Sequence, residues 1–326
     1  MSATTRKYKP LQHQTFSFGD YSMVPIRDED KYPIMRWRNE QIYHLRQKEH
    51  LTREQQKAYF RNVVDKLFER EKPDQLLFSF LKNGQLIGYG GLVHIDWENR
   101  TAEVSFLMDT ALEETEFERN WWIFLHFIEQ VAFGELGLNK IFTYAFDLRP
   151  RLYPVLEQAS FREEQFLPGA FEKEGKRLDV YIHAKSFPAI LFRQVRAEDM
   201  DLIYAWSNEE SARQNSFHPE KIPYETHVQW FEKKLQDPKA HLWIARIEGK
   251  PAALVRFDET DDHAVIGINV DKNFRGKGYG GRILRLATGR FILLTGLPVY
   301  AYIKPENHAS VRAFEKAGYR YAGKQG

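Results

Sequence analysis

Three glycines, an arginine and a lysine crowd into six residues, Arg275-Gly276-Lys277-Gly278-Tyr279-Gly280, and the chemistry such a cluster offers is anion binding. Glycine has no Cβ, so a phosphate can come close to the backbone, and the two cations bring charge to the same place. The flanking elements decide whether that chemistry is usable. Ala264 to Val270 is a β-type run leading in, and Ile283, Leu284, Ala287, Phe291 and Leu294 recur at the three- and four-residue steps of a helix leading out. The turn therefore ends at a helix N-terminus, where unpaired N–H groups and the positive end of the helix dipole attract anions. It is not a Walker loop, since no Gly-Lys-Ser/Thr follows at the required spacing, nor is it Gly-x-Gly-x-x-Gly. A glycine-rich turn that merely joins two elements is the bland alternative.

Downstream, Pro298 to Lys304 reads as a strand, and Asn307-x-x-Ser310-x-x-Ala313-Phe314-Glu315-Lys316-Ala317-Gly318-Tyr319 reads as a capped amphipathic helix with a glycine C-cap. The loop resembles the acyl-CoA pyrophosphate loop of the GNAT superfamily of N-acyltransferases, Arg/Gln-x-x-Gly-x-Gly/Ala, at Arg275, Gly278 and Gly280. The second segment looks like that family's Asn-x-x-Ser-x-x-Leu-Tyr-Glu-Lys-x-Gly-Phe signature, in the right order and at the usual distance. The resemblance implies acetyl-CoA as co-substrate, no metal, and an amine that attacks the thioester directly without a covalent enzyme intermediate. It also implies a pair of parallel strands, 264–270 and 298–303, that splay to admit the cofactor. Pantetheine would then meet backbone from Ile268 to Val270, the pyrophosphate would meet Arg275, Gly276, Lys277, Gly278, Tyr279 and Gly280, and Asn307 and Ser310 would complete the cofactor set.

A chain of 326 residues is comfortable for two domains. The absence of cysteine excludes disulfides, thiolate catalysis and cysteine metal sites. A formal charge of only +2 argues against a general nucleic-acid binder. Met1 to Tyr21 is polar and mildly basic without an apolar centre, unlike a signal peptide, and no run of about 18 apolar residues exists to span a membrane. The expected location is the cytoplasm, with no membrane or nucleic-acid partner; a homodimer is among the assemblies left open.

Read in order, the chain repeats itself. Val24-Pro25-Ile26-Arg27-Asp28-Glu29-Asp30 and Trp37-Arg38-Asn39-Glu40 return as Val195-Arg196-Ala197-Glu198-Asp199 and Trp206-Ser207-Asn208-Glu209, and 169 residues separate Arg27 from Arg196 and Trp37 from Trp206. Hairpins over 76–93 and 241–257 are expected to turn at Asn83-Gly84 and Glu248-Gly249. The organisation this implies is a polar leader over 1–20, a degenerate GNAT-like domain over 21–185, a linker at 186–190, and a GNAT domain over 191–326 that keeps the acyl-CoA loop but lacks its final strand or strands. The expected fold is α/β (α+β), each domain a mixed, mostly antiparallel sheet with a splayed parallel pair and helices on both faces. After Asp109 the first copy puts Glu113, Glu114, Glu116 and Glu118 where the second has its loop, so a pyrophosphate there would meet like charge. The following helix, with Trp121, Trp122, Phe124, Leu125 and Ile128, is apolar on too many sides to lie on a surface alone. The second domain is one element that could cover it.

The catalytic groups are less legible. Many members of the family use a tyrosine acid where this chain has Phe314; Tyr300, Tyr302 and Tyr319 are near but lack the spacing. A thiol pKa near about 8.5 lets CoA leave as thiolate, and a positioned acid contributes about 10²–10⁴-fold. Bases are drawn from His218, His227, Asp258, His263 and His308, with His218, His308 and Asn307 the weak catalytic candidates. The stretch 206–230 walls the acceptor pocket in this fold, so Trp206, Asn208, Arg213, Phe217 and His218 are the candidate substrate contacts, aromatic faces with interspersed donors that suit a sugar ring or a uracil. A core role for Trp206, Phe217, Trp230 and Phe231 is the alternative. The wording of residues 191–323 is similar to a narrower group that acetylates amino groups of nucleotide-linked sugars in pseudaminic- and related nonulosonic-acid pathways. The expected function is thus N-acetyl transfer to a primary amine of a nucleotide-linked amino sugar. A protein N-terminus or small-molecule amine is the second acceptor class, and a non-catalytic acyl-CoA-binding scaffold is the third reading.

Overall fold

Two runs of short strands, each interrupted by helices, build two separate sheets in a computed structural model that describes residues 6–187 and 190–323. The chain divides into unit 1, Met1–Ala189, and unit 2, Ile190–Gly326. Residues 188–189 of the expected linker, 1–5 of the leader and 324–326 lie outside the described residues.

Unit 1 contains strands β1 (Phe16–Phe18), β2 (Tyr21–Pro25), β3 (Leu76–Lys82), β4 (Gln85–Asp96), β5 (Thr101–Met108), β6 (Lys140–Phe146), β7 (Arg162–Lys173) and β8 (Lys176–Ser186), in the sheet order β1-β2-β3-β4-β5-β6-β8-β7. Its helices are α1 (Lys31–Glu40), α2 (Arg53–Tyr59), α3 (Asp65–Leu67), α4 (Phe117–Glu129) and α5 (Leu152–Gln158). Unit 2 contains α6 (Met200–Ser207), α7 (Glu210–Gln214), α8 (Tyr224–Gln236), α9 (Tyr279–Thr295) and α10 (His308–Lys316). Its strands β9 (Ile190–Gln194), β10 (Ala240–Ile247), β11 (Lys250–Glu259), β12 (Ala264–Val270) and β13 (Val299–Tyr300) order as β13-β12-β11-β10-β9. Strands β2-β3-β4-β5-β6 and β9-β10-β11-β12-β13 share order and direction, three antiparallel pairings followed by one parallel pairing. Both tight hairpins turn where the sequence places them: Asn83, Gly84, Glu248 and Gly249 all have positive φ, the backbone that two-residue hairpin turns need.

What repeats at the 169-residue offset is scaffolding. Trp37 and Trp206 are both buried. Asn39 donates to the Leu51 carbonyl at 2.9 Å and accepts from the Leu51 N–H at 2.8 Å, and Asn208 does the same with Ile222 at 3.1 and 2.8 Å. Each asparagine staples the loop that follows its helix. Asp30 and Asp199 are likewise both buried and each is gripped by an arginine fork, Arg27 in unit 1 but Arg193, not Arg196, in unit 2.

The expected polar leader is part of unit 1. Phe16–Phe18 pairs with β2, and the buried Tyr8 hydroxyl donates to the Leu77 carbonyl at 2.7 Å while accepting from the Leu77 N–H at 2.9 Å. The apolar residues that dock it, Tyr8, Leu11, Phe16 and Phe18, are too dispersed among polar ones to show a period. They help to explain α4, whose side chains from Phe117 to Glu129 are nearly all buried within the unit's own layers. Phe124 stacks on Phe106 at 4.1 Å and His126 meets Phe18 edge-on at 5.4 Å. Each fully buried Phe contributes about 1.5–3 kcal/mol.

Candidate functional site

In unit 2 the parallel pairing of β12 with β13 stops at Val265↔Tyr300, while β12 runs on to Val270. Residues 266–270, including Ile268 and Val270, therefore have β11 on one side and no strand on the other among the described residues. The strands part there. In unit 1 the β5–β6 pairing stops at Glu103↔Phe142, and 162 residues separate Glu103 from Val265 just as they separate Asp109 from Asp271. The parting point is thus the same in both units.

Beyond β12, Asp271 Oδ1 accepts from the Asn273 N–H at 2.8 Å and starts a 3₁₀ turn, Lys272–Phe274. Gly276 and Gly278 then take φ of +73° and +77°, a left-handed backbone that costs a residue with Cβ about 1–2 kcal/mol. A Cβ on either would meet nothing within 4 Å, so conformation, with open space beside it, is what asks for glycine here. Gly278 is the N-cap of α9 and has no side chain to satisfy the first-turn N–H groups of a 17-residue helix. At Gly281 the reason is packing: a Cβ would lie 3.2 Å from the Ala313 carbonyl of α10. The corresponding N-cap in unit 1 is Glu116, with φ −120° and ψ 9°. Its neighbours are committed to arginines, Glu113 to Arg149 at 3.4 Å and Glu118 to Arg151 at 3.6 Å. Arg46 closes unit 1's parted strands, pairing with Glu103 of β5 at 2.8 Å and covering the Tyr144 ring of β6 at 4.2 Å.

Of the two loop cations in unit 2, Arg275 is occupied by the chain itself. Its Nε donates to the Val270 carbonyl at 2.8 Å, and its Nη1 reaches Ser211 Oγ at 2.8 Å and Glu209 Oε2 at 2.7 Å. The Arg275 guanidinium holds the Glu209 carboxyl below its usual range. Glu209 also accepts from the Ala212 N–H at the start of α7. One guanidinium therefore ties the end of β12 and the glycine loop to the start of α7. Sequence reasoning missed Glu209, Ser211 and Asp271; the repeat of Glu40 as Glu209 was the available signal. Among the described residues Lys277 makes no hydrogen bond or ion pair, and its Nζ lies 6.0 Å from the centre of the Phe274 ring.

The second signature segment is also structural in its details. Asn307 Oδ1 accepts from the Ser310 N–H at 3.1 Å and caps α10. The helix closes as a Schellman turn at Gly318, with Tyr319 N–H to the Phe314 carbonyl and Gly318 N–H to the Glu315 carbonyl, both 3.0 Å. Phe314 is buried against Tyr319. The Tyr319 hydroxyl is held by Thr288 Oγ1 at 2.6 Å, and burial pushes its phenol up to about 12. Tyr300, Tyr302 and His308 are exposed.

Of the residues expected to meet an acceptor, Trp206 is buried with Val195, Ile203 and Phe231; its Nε1 donates to Asp271 Oδ2 at 2.8 Å and its carbonyl accepts from Asn269 Nδ2 at 2.7 Å. Trp206 and Asn208 are thus brought beside the loop, yet their polar groups are spent on the chain. Arg213 donates to the His218 carbonyl at 3.1 Å, and Phe217, 60% exposed, and His218 share that loop. His227 is sealed in α8, donating from Nε2 to the Met200 carbonyl at 3.1 Å. Asp258 is paired with Lys234 at 2.7 Å and His263 with Asp262 at 2.7 Å. Among the described residues no group of three or more His, Cys, Asp or Glu could hold a metal ion, and no helix is long and apolar enough to cross a membrane.

Two consequences are measurable. Replacing Asn208 by Ala leaves the Ile222 N–H and carbonyl without partners, so unit 2 should lose about 1–3 kcal/mol and melt earlier. An unchanged melting temperature would show that the loop is held by something else. Burial holds His227 below its usual pKa, so the folded unit keeps it neutral while the unfolded chain protonates near about 6.5. That stability is present above this pH and lost as pH falls through it. The melting temperature should drop between about pH 7.5 and 5.5, and less steeply in His227→Gln; an identical slope would exclude His227 as the cause.

Residues 189–320 match a family model described as an acetyltransferase (GNAT) domain, and residues 23–182 match a second model of the same description. Among solved structures, the chain is similar to spermidine N-acetyltransferase from Vibrio cholerae in complex with CoA and spermine, at 17% identity over 52% of this chain and 96% of that one, with a TM-score of 0.46. A chimera of the Vibrio cholerae enzyme and hSSAT is similar at 18% identity over 51% and 95%, with a TM-score of 0.44. No curated protein matches the chain.

Proposed function

Because the chain belongs to the GNAT acetyltransferases, acetyl-CoA-dependent N-acyltransferases, and carries two such domains in tandem, we propose that unit 2 alone binds acetyl-CoA and transfers its acetyl group to the primary amine of a nucleotide-linked amino sugar. One observation carries the assignment to unit 2. A bare helix N-terminus behind a left-handed glycine stands beside a parted parallel strand pair in unit 2, whereas unit 1 sets Glu116 and an arginine-bridged gap at the same positions.

In this reading pantetheine amides pair with the free edge of β12 around Ile268 and Val270, and the pyrophosphate sits over the first turn of α9, from Gly276 to Gly280, with Lys277 adding charge. Arg275 acts as a strut that holds the loop against α7, and Asn307 and Ser310 position α10 beside α9. The amine lone pair attacks the thioester carbonyl carbon, the C–N bond forms, the C–S bond breaks, and CoA leaves as thiolate. The ammonium proton passes to water or to an exposed histidine such as His218 or His308. Phe217, Arg213 and His218 are the side chains left to meet the acceptor; Trp206 and Asn208 shape the wall without offering it free polar groups. An acetyl-CoA turnover assay against UDP-amino-sugars, peptides and polyamines tests this. Turnover confined to peptides or polyamines would replace the sugar by the second acceptor class, and binding without turnover of any amine would favour the scaffold reading.

A further inference from the structure

Arg38, in the last turn of α1, is a partly buried guanidinium whose partners are all neutral. Its Nη1 donates to the Tyr89 hydroxyl at 2.7 Å and its Nε to Gln47 Oε1 at 2.9 Å. Gln47 is aimed by its own amide, which donates to Asn39 Oδ1 at 3.0 Å and to the Glu49 carbonyl at 2.8 Å. Among the described residues Arg38 forms no ion pair and its Nη2 makes no hydrogen bond; nor is Nη2 among the orphaned polar atoms sealed from solvent. It is a donor open to whatever enters. The Tyr89 hydroxyl accepts from Arg38 and keeps its own O–H to donate. Tyr59 of α2 lies close enough for Arg38 and Tyr89 both to act on its ionisation, and it is 39% exposed.

Removing a guanidinium from water without an opposite charge is costly, and four other arginines of this chain lie against a carboxylate. Arg27 has Asp30, Arg193 has Asp199, Arg149 has Glu113 and Arg275 has Glu209. The repeat gives Ser207 at the position of Arg38, and alignment of the two hairpins gives Leu254 at that of Tyr89, so unit 2 has no counterpart. We infer that Arg38 and Tyr89, with Tyr59 beside them, form a binding site in unit 1 for the carboxylate of a small organic acid. A single cation balances a monoanion, and Nη2 with the Tyr89 O–H supplies one donor for each oxygen of a planar carboxylate. A phosphate dianion would call for a second cation, and none pairs with this cluster.

The test is a titration of the full chain carrying isotope-labelled arginine, with succinate, acetate, inorganic phosphate and sodium chloride as probes. The Arg38 Nε–H resonance should move saturably with succinate and acetate and not with phosphate or chloride, while that of Arg275 stays still. Tyr89→Phe should weaken succinate binding by about tenfold or more, and Arg38→Lys should remove thermal stabilisation by succinate to the same extent. An unmoved resonance from Arg27, whose Nε is held by Asp30 in the same unit, would show in both variants that unit 1 remains folded. A shift that does not saturate, one that phosphate matches, or one that survives Tyr89→Phe undiminished would overturn the assignment.

Discussion

Isothermal titration of the whole chain with CoA should give one site, and Gly278→Trp should abolish it. The expected loss exceeds about a hundredfold, because two independent contributions fail together. The left-handed backbone at Gly278 is strained by any Cβ, about 1–2 kcal/mol or roughly a tenfold loss if borne by the bound loop. An indole would also fill the open space beside the first turn of α9, where the anion must sit. Gly278→Ala isolates the first contribution and should cost about tenfold. Because a Cβ there meets no protein atom within 4 Å, the alanine variant should fold, which keeps the comparison interpretable. Unit 1 should add no site: its equivalent N-cap is Glu116, and its parted strands are bridged by Arg46 between Glu103 and Tyr144. A stoichiometry of two, or full affinity in Gly278→Trp, would refute the assignment.

The residues that were legible in the sequence are those whose roles are local. The period of α9, the glycines before it, the cap at Asn307 and the Gly318 turn all follow from neighbours within a few positions. The 169-residue repeat was legible as a duplicated domain plan, but the bonds made by the repeated residues were not. Trp206 and Asn208 read as acceptor contacts because aromatic and amide side chains suit a sugar. The bonds of Asn208 to Ile222 and of Trp206 to Asp271 span 14 and 65 residues, and no local pattern announces them. Unit 1 shows the same asparagine staple with Leu51, which explains why the Trp-x-Asn-Glu pattern is present in both copies. Arg275 is a parallel case. Its type and place suit phosphate, while its observed partners come from two separate parts of the chain, Val270 at the end of β12 and Glu209 and Ser211 at the start of α7. The leader was missed because docking Tyr8 and Phe16 needs only scattered apolar residues and a ready strand edge.

At about pH 7 a UDP-4-amino-sugar should be acetylated with a kcat/KM about tenfold or more above that of spermidine, and the gap should narrow at about pH 9. The argument runs through the amine. An amine directly on a sugar ring is flanked by electron-withdrawing oxygens, so its pKa falls well below the value of about 10.4 typical of lysine. A useful fraction is already neutral near pH 7, and a weak base or a water chain suffices. A polyamine nitrogen holds its proton more tightly, and its neutral fraction grows about a hundredfold over those two pH units. Unit 2 offers little to remove such a proton. His227 is sealed, Asp258 is paired with Lys234, and Tyr319 is tied to Thr288 with its phenol pushed up to about 12. His218 and His308 lie exposed on the surface. Phe217 can stack on a base or ring, and His218 on the same loop, with Arg213 of α7 bonded to that loop, can meet phosphate. A peptide N-terminus, with a pKa of about 7.7–8.0, shares the favourable protonation but gains nothing from that loop, so it should fall between the two. If spermidine or the peptide is the better substrate at about pH 7, the amino-sugar reading is wrong, whatever the CoA titration shows.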